Sequence, residues 1–246
     1  MASQTQNGKA YECVVAEALS RITGFGIAVT PEYHKAKNYL ETLDGDQVVR
    51  FERTASEAAK IIYRQESLSL LKTGDIRLQP DSKGQRGDVR DIVIAVPSRE
   101  IGISCKTNHA DLKHSRLSQR LDFVRSWGIC ESGCSDIYWS EIRPIFESLA
   151  EIRSKSCRTA EWKELPDVAG SVYWPLLEAW RKELVRALGN PGTESSRRCA
   201  SLARYLFGNR DFFKVVGRHG KRTFVSVQGF NFGGTLNIPK SKLPSK

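Results

Sequence analysis

An aspartate at the mouth of one apolar run and a lysine at the end of the next have the types and spacing to do chemistry. In GDVRDIVIAVPSREIGISCKTNH (87–109), Asp91 precedes Ile92–Val96, and Lys106 closes the run from Ile101 fifteen residues later. Ile92–Val96 is uninterrupted and largely β-branched, as expected of a strand buried on both faces. Pro97-Ser98 turns the chain back, so the two runs are expected to pair as a hairpin with Asp91 and Lys106 at one end of a sheet. Alternation puts Ser104 and Lys106 on one face and Cys105 on the other. Phosphodiester hydrolysis needs such a pair: a carboxylate to hold Mg²⁺, and a cation to position water and balance developing charge. Alone, the pattern equally describes an aspartate that starts a strand and a lysine that ends one.

A good divalent-metal site wants a second carboxylate. Two residues before the lysine stands Ser104, not an acid. Glu100 shares its face but lies ~13 Å along the strand. Glu12, in the first helical segment, is the better candidate, unless it is only a glutamate favoured by the helix dipole. Asp88 either substitutes for Asp91 or orients the loop before it.

Directly after the lysine, residues 107–123 (TNHADLKHSRLSQRLDF) gather His109, Lys113, His114, Ser115, Arg116 and Arg120. These side chains are donors to phosphates and base edges, or a solvated loop and helix cap. Cys130 and Cys134 form a lone CxxxC without a zinc-site spacing signature and read as buried thiols. Trp127, Trp139, Trp162, Trp174 and Trp180 sit mostly at helical apolar positions and read as core. Neither GxxxxGK[ST] nor GxSxG occurs, so nucleotide hydrolysis and α/β-hydrolase chemistry find no support.

The elements that must carry these residues alternate between two periods. Tyr11, Val14, Val15, Ala18, Leu19 and Ile22 recur at helical spacing before the stop at Gly24-Phe-Gly26. Further helices are expected at about 32–43 and 56–71, and a short strand at 76–78 precedes the turn-rich loop DSKGQRG (81–87). The helical period returns in Ile137, Ile142, Ile145, Phe146, Leu149 and Ile152, despite Pro144, and again at 172–188, opened at Pro175. After the linker-like GNPGTESS (189–196) come a helix at about 198–207 and strands at 212–216 and 223–228 around GRHGKR. The expected class is α/β, a small mixed central sheet flanked by helices with a basic β-hairpin near the end.

Charge is unevenly spread. The chain has 38 Lys+Arg against 28 Asp+Glu in 246 residues, a net +10. Residues 197–246 hold eleven basic residues and one acid, Asp211, whereas the first 196 are balanced. That is a localised electropositive surface suited to a polyanion. At 27% charged and 40% hydrophobic the composition is globular. No apolar run is long enough to span a bilayer, and the start lacks a secretory pattern. The expectation is a cytoplasmic protein whose six Cys are reduced.

At these residues the sequence resembles the HaeIII family of type II restriction endonucleases, a branch of the PD-(D/E)XK superfamily. The resemblance covers most of the chain. It is carried by NGKAYE (7–12), KGQRGDVRDIVI (83–94), EIGISCKTNHADLKHSRL (100–117), LDFVRSW (121–127), YWSEIRPIF (138–146), EWKELPD (161–167) and FNFGGTLNIP (230–239). It implies a PD-(D/E)XK core that cuts duplex DNA at GGCC between the central G and C, leaving blunt ends, with Mg²⁺ as cofactor. Asp91 matches the metal-binding acid and Lys106 the motif lysine; Ser104 departs from the usual acid, with Glu12 as its replacement.

On this basis Asp91, Glu12 and the Cys105 carbonyl hold the metal and Lys106 positions the attacking water. DNA contacts fall to Asn108, His109, Lys113, His114, Ser115, Arg116, Arg218, Lys221 and Arg222. A nuclease core over 1–188 and a basic DNA-contacting region over 197–246, packed on the core, complete the expectation. A two-fold dimer suits a palindrome, and the family implies a cognate DNA methyltransferase. The alternatives are a structure-specific PD-(D/E)XK repair nuclease, a non-catalytic duplex-binding module, for which Ser104 argues, and an RNA-binding protein.

Overall fold

The computed structural model describes residues 4–85, 88–108, 118–155, 167–190, 192–220 and 222–241. They fall into two compact units: one runs to Asn108 and resumes at Leu206, and the other covers the described residues between Ser118 and Tyr205.

The first unit is built on a mixed sheet in the order β1 (Gly26–Ile27), β2 (Asp75–Leu78), β3 (Ile92–Val96), β4 (Arg99–Thr107), β5 (Phe212–His219) and β6 (Thr223–Phe230). β3 and β4 form the expected antiparallel hairpin, with Ile92 opposite Ile103 and Val96 opposite Arg99. β4 and β5 run parallel. A parallel pair needs a long crossover, and here the crossover carries the whole second unit. β5 pairs antiparallel with β6. Both are longer than expected, because Gly217, Arg218 and His219 continue β5 instead of forming the turn.

Three helices cover one face: α1 (Gln4–Thr23), α2 (Pro31–Glu41) and α3 (Gly45–Gln65). Thr30 caps α2 and Asp44 caps α3, each side chain accepting the backbone N–H three residues on. α1 stops at Gly24, whose φ of +75° few other residues adopt. Tyr11, Val14, Val15 and Leu19 of α1 and Phe51, Ala55, Ala58 and Ile62 of α3 pack on Ile92, Ile94, Ile101, Ile103, Phe213 and Val215. The helix expected at 56–71 begins eleven residues earlier, because its first turns are mostly polar and hide the period. It ends sooner, where Ser67 turns left-handed at φ 51°. The loop expected at 81–87 contains a short helix, α4 (Ser82–Gln85).

The second unit holds α5 (Phe123–Ser126), α6 (Asp136–Lys155), a π-turn (Ala169–Tyr173) leading into α7 (Trp174–Leu188), and α8 (Thr193–Phe207), from which the chain returns to the first unit. Its core is Phe123, Val124, Trp127, Ile129, Tyr138, Ile142, Ala179 and Ala187. Buried Glu183 accepts from the Ser135 N–H and hydroxyl, both at 2.7 Å, tying α7 to the start of α6. Three expectations need correction. Ile137 and Ile152 are exposed, because Tyr138 rather than Ile137 falls on the buried stripe with Ile142. Trp174 is 68% exposed and is not core. Cys130 and Cys134 are only half-buried, whereas Cys13 and Cys105 are buried and Cys199 is exposed. The linker is shorter than expected, since α8 already begins at Thr193. Trp162 and Cys157 lie outside the described residues.

Candidate active site

The β3–β4 ladder positions the site. The Asp91 N–H donates to the Ile103 carbonyl at 2.8 Å, one step beyond the last paired residue of β3. This fixes the Asp91 backbone beside the C-terminal half of β4. Its Oδ2 accepts the Cys105 N–H at 2.7 Å and the Ser104 hydroxyl at 3.1 Å. Lys106 Nζ stands 3.6 Å from the same oxygen. Both side chains are about one-fifth exposed (20% for Asp91, 21% for Lys106), open to a substrate yet partly sheltered from bulk screening. Ser104, where an acid was looked for, is a buried prop for Asp91.

Glu12 completes the cluster from α1. It is buried at 6% exposure, with Lys9 Nζ 3.0 Å from its Oε2. Burial and the nearby Asp91 charge push its carboxyl up to about 8, against the pull of Lys9 and Lys106. Two carboxylates close enough to repel one another, one of them stripped of water, form a site that a cation would stabilise. Lys9 also reaches Asp81 at 2.6 Å. Burial works to discharge Lys9, but Glu12 and Asp81 prevail and hold its pKa above the ordinary value. Burial, then Asp91 and Glu12, keep the Cys105 thiol well above its ordinary range, so its sulfur is no thiolate ligand.

Asp88 belongs to a different network. It grips the Arg90 guanidinium at 2.7 and 2.8 Å and accepts from Gln79 at 3.1 Å. Burial would raise its pKa, but Arg90 prevails and lowers it. Arg90 also bonds Glu100, which pairs with Arg77 as well. Asp88 is therefore engaged with Arg90 and Gln79 in the loop leading to Asp91, in keeping with the loop-orienting alternative, and Glu100 is engaged with Arg90 and Arg77.

The expected DNA contacts divide. Asn108 sits at the end of β4 with φ 61°, its N–H bonded to the Gly217 carbonyl and its Oδ1 accepting the His219 N–H. Arg218 is exposed, its guanidinium 5.4 Å above the Phe224 ring. Arg222 is exposed in the turn after β5. His109, Lys113, His114, Ser115, Arg116 and Lys221 lie outside the described residues.

Sequence reasoning missed Lys9, although its spacing three before Glu12 on one helix was available as a signal. It also missed Lys214, counted only among the tail's charges, which is buried on β5 in register with Ser104. No local pattern pointed to that burial, because it follows from the parallel pairing of distant strands.

A mixed α/β fold whose sheet end presents an aspartate and a lysine beside a buried glutamate is consistent with an α/β nuclease. The family model described as HaeIII restriction endonuclease matches residues 8–245. The type II restriction enzyme HaeIII of Haemophilus aegyptius is 33% identical over 244 residues, covering 96% of this chain and 74% of the relative. No solved structure matches. The chain belongs to the HaeIII restriction endonuclease family, and so is a site-specific deoxyribonuclease. Enzymes of the type II class generally use divalent metal ions. No helix among the described residues is long and apolar enough to cross a membrane.

Proposed function

We propose that this chain cleaves double-stranded DNA at GGCC, between the central G and C, leaving blunt ends, by Mg²⁺-dependent hydrolysis in a PD-(D/E)XK-type site. The observation that carries the chemistry is the convergence of Asp91, Lys106 and Glu12 at one end of the β3–β4 hairpin. The sequence specificity and the cut position rest on the family resemblance.

The donor set fits Mg²⁺. Among the described residues no group of three or more His, Cys, Asp or Glu side chains converges to hold a metal. Mg²⁺ characteristically takes one or two carboxylates and fills its remaining positions with water and substrate phosphate. Asp91 spends Oδ2 on protein donors and has no hydrogen-bond donor at Oδ1 among the described residues. Asp91 and Glu12, with the Cys105 carbonyl, would hold the ion. When bound, it supplies Lewis-acid polarisation of the scissile phosphate and makes bound water more acidic.

The chain's own groups do the rest. Ser104 and the Cys105 N–H hold Asp91 in one orientation. Lys106 positions the attacking water and offsets charge developing on the phosphate. Lys9 neutralises Glu12 and holds it toward the site. The products carry 5′-phosphate and 3′-hydroxyl ends. Duplex contact falls to Asn108, His109, Lys113, His114, Ser115, Arg116, Arg218, Lys221 and Arg222, with 1–188 as core and 197–246 as the basic DNA-contacting region. A cytoplasmic homodimer with one site per strand, beside a cognate methyltransferase that protects the host sequence, completes the proposal.

Incubating a mapped plasmid with the protein in Mg²⁺, with EDTA as control, and sequencing the ends tests it. Uniform blunt ends inside GGCC are expected. Scattered cleavage, or cleavage undiminished by EDTA, would refute it.

A further inference from the structure

Beside the reacting end of β4 lies a polar recess of about 490 Å³ that the cluster of Asp91, Lys106 and Glu12 does not use. Asn7 of α1, Gln47 and Arg50 of α3, Thr107 and Asn108 at the end of β4, and His219 at the end of β5 line it. We propose that this recess binds a phosphodiester group of the DNA strand close to the one being cut, with Arg50 as its counter-charge and Asn7 and Asn108 as amide donors. The inference rests on the reading of the Asp91–Lys106 end as the cutting site.

Charge is the first argument. Among the described residues Arg50 is the one Lys, Arg, Asp or Glu side chain that lines the recess, and it has no ion pair there. Its Nε is buried and has no hydrogen-bond partner among the described residues. His219 is wedged against Tyr11 and Phe51. Burial and then Arg50 push its pKa down to about 4, so it is neutral at physiological pH. A half-buried guanidinium without an ion pair among the described residues, facing a recess of this size, lacks an anion.

The amides make the second argument. The Asn7 Oδ1 accepts from Gln47 Nε2 at 3.0 Å, and the Asn108 Oδ1 accepts the His219 N–H at 3.0 Å. Each oxygen already accepts a hydrogen bond, and among the described residues the NH₂ group of neither carboxamide has an acceptor. Asn108 holds its place at φ 61° through its own backbone bond to Gly217, an arrangement uncommon outside glycine. Donors fixed in this way, with a guanidinium, suit phosphate oxygens, which only accept.

Position is the third. Asn108 lies two residues beyond Lys106, directly after the last residue of β4, an advance of ~6.6 Å. Charges along one DNA strand recur every ~3.4 Å of helix axis. A strand whose scissile phosphate lies at Lys106 therefore brings a nearby phosphate within reach of the recess.

The test measures duplex binding without divalent ion in a Lys106→Ala background, so that no result depends on cutting. A single neutral methylphosphonate is placed in turn at each phosphate of a GGCC duplex and of an unrelated one. With Arg50 intact, one position close to the cut is expected to weaken binding ~10-fold, the scale of a lost charge-assisted contact. Arg50→Gln should bind ~10-fold more weakly on both duplexes, reduce the salt slope by about one, and be indifferent to the methylphosphonate at that position. If Arg50→Gln matches its parent in affinity and salt slope, the proposal fails. It also fails if the variant relaxes discrimination between the duplexes at unchanged salt slope, because the recess would then read a base. Thermal melting checks folding, and Asn108→Ala repeats the comparison with a loss of roughly three-fold. A separate cleavage assay decides the cutting site: methylphosphonate dependence through Arg50 without cleavage by the unaltered protein would leave the recess standing and sink the Asp91–Lys106 reading.

Discussion

At the scale of single residues, three donors meet one oxygen of Asp91, and their contributions should be unequal. On the proposed mechanism, Asp91→Ala removes a metal ligand and Lys106→Ala the group that positions the water. Each should lower the cleavage rate at least ~10²–10⁴-fold, the range of a positioned proton-transfer group, with duplex binding retained. Ser104→Ala removes one neutral hydrogen bond worth about 1 kcal/mol, so a several-fold loss in single-turnover rate is expected. A Ser104→Ala variant as dead as Asp91→Ala would mean that Ser104 does more than hold the carboxylate. Glu12 makes a different prediction. Its folded-state pKa of about 8 lies far above the ordinary carboxyl value, so in the metal-free protein the folded state binds the extra proton. Stability should therefore fall as pH rises from about 4.5 through 8 and level off above. Glu12→Gln should flatten that decline and raise the metal-free Tm at pH 8.5 by several degrees, while abolishing cleavage. Melting curves against pH, with and without EDTA, read the effect directly.

At the scale of elements, β4 sits between β3 and β5 and tolerates no side chain at Gly102. A methyl there would collide with the Arg90 side chain and come within 2.9 Å of the Asp211 carbonyl. Gly102→Ala should cost about 1–3 kcal/mol, read as a Tm loss of ~2–4 °C per kcal/mol, because Arg90 must leave Asp88 and Glu100. The packing of β5 on α1 and α3 makes a pH prediction of the opposite sign to that of Glu12. His219 is folded in its neutral form, with its pKa pushed down to about 4 by burial and by Arg50. Stability is thus fully present above about pH 6.5 and is lost as pH falls toward 4; His219→Phe should remove that part of the acid slope. The β3–β4 hairpin was legible because its continuous β-branched run and Pro-Ser turn are local signals, and Asp91 with Lys106 came with it. Glu12 was legible as a residue type on a helix, but its closeness to Asp91 depends on how α1 packs across the sheet. The parallel pairing of β4 with β5 had no local mark. Strands separated by the whole second unit meet only through tertiary packing, which is why the burial of Lys214 and the closeness of His219 to Arg50 escaped notice.

At the scale of the whole molecule, the net +10 charge and the reacting cluster lie in different stretches of chain. Residues 197–246 carry the imbalance, yet β5 and β6 are strands of the sheet that holds Asp91 and Lys106. The part of the basic region from Leu206 on therefore belongs to the unit that carries the site, so a duplex bound by Arg218 and Arg222, as proposed, would be held relative to that sheet. If each contacts one phosphate, Arg218→Gln with Arg222→Gln should reduce the salt slope of binding by about two and weaken all sequences alike. One sheet offers one cluster, whereas the proposed blunt cut must break both strands. The proposed homodimer, with two-fold symmetry, would supply a second cluster and match the proposed palindrome. Heterodimers of unaltered and Lys106→Ala subunits, separated by differently tagged copies, should then nick supercoiled plasmid at GGCC without linearising it, while the unaltered dimer linearises it. Linear product from the mixed dimer at the unaltered rate would mean that one cluster serves both strands in turn, and the two-site dimer would have to be abandoned.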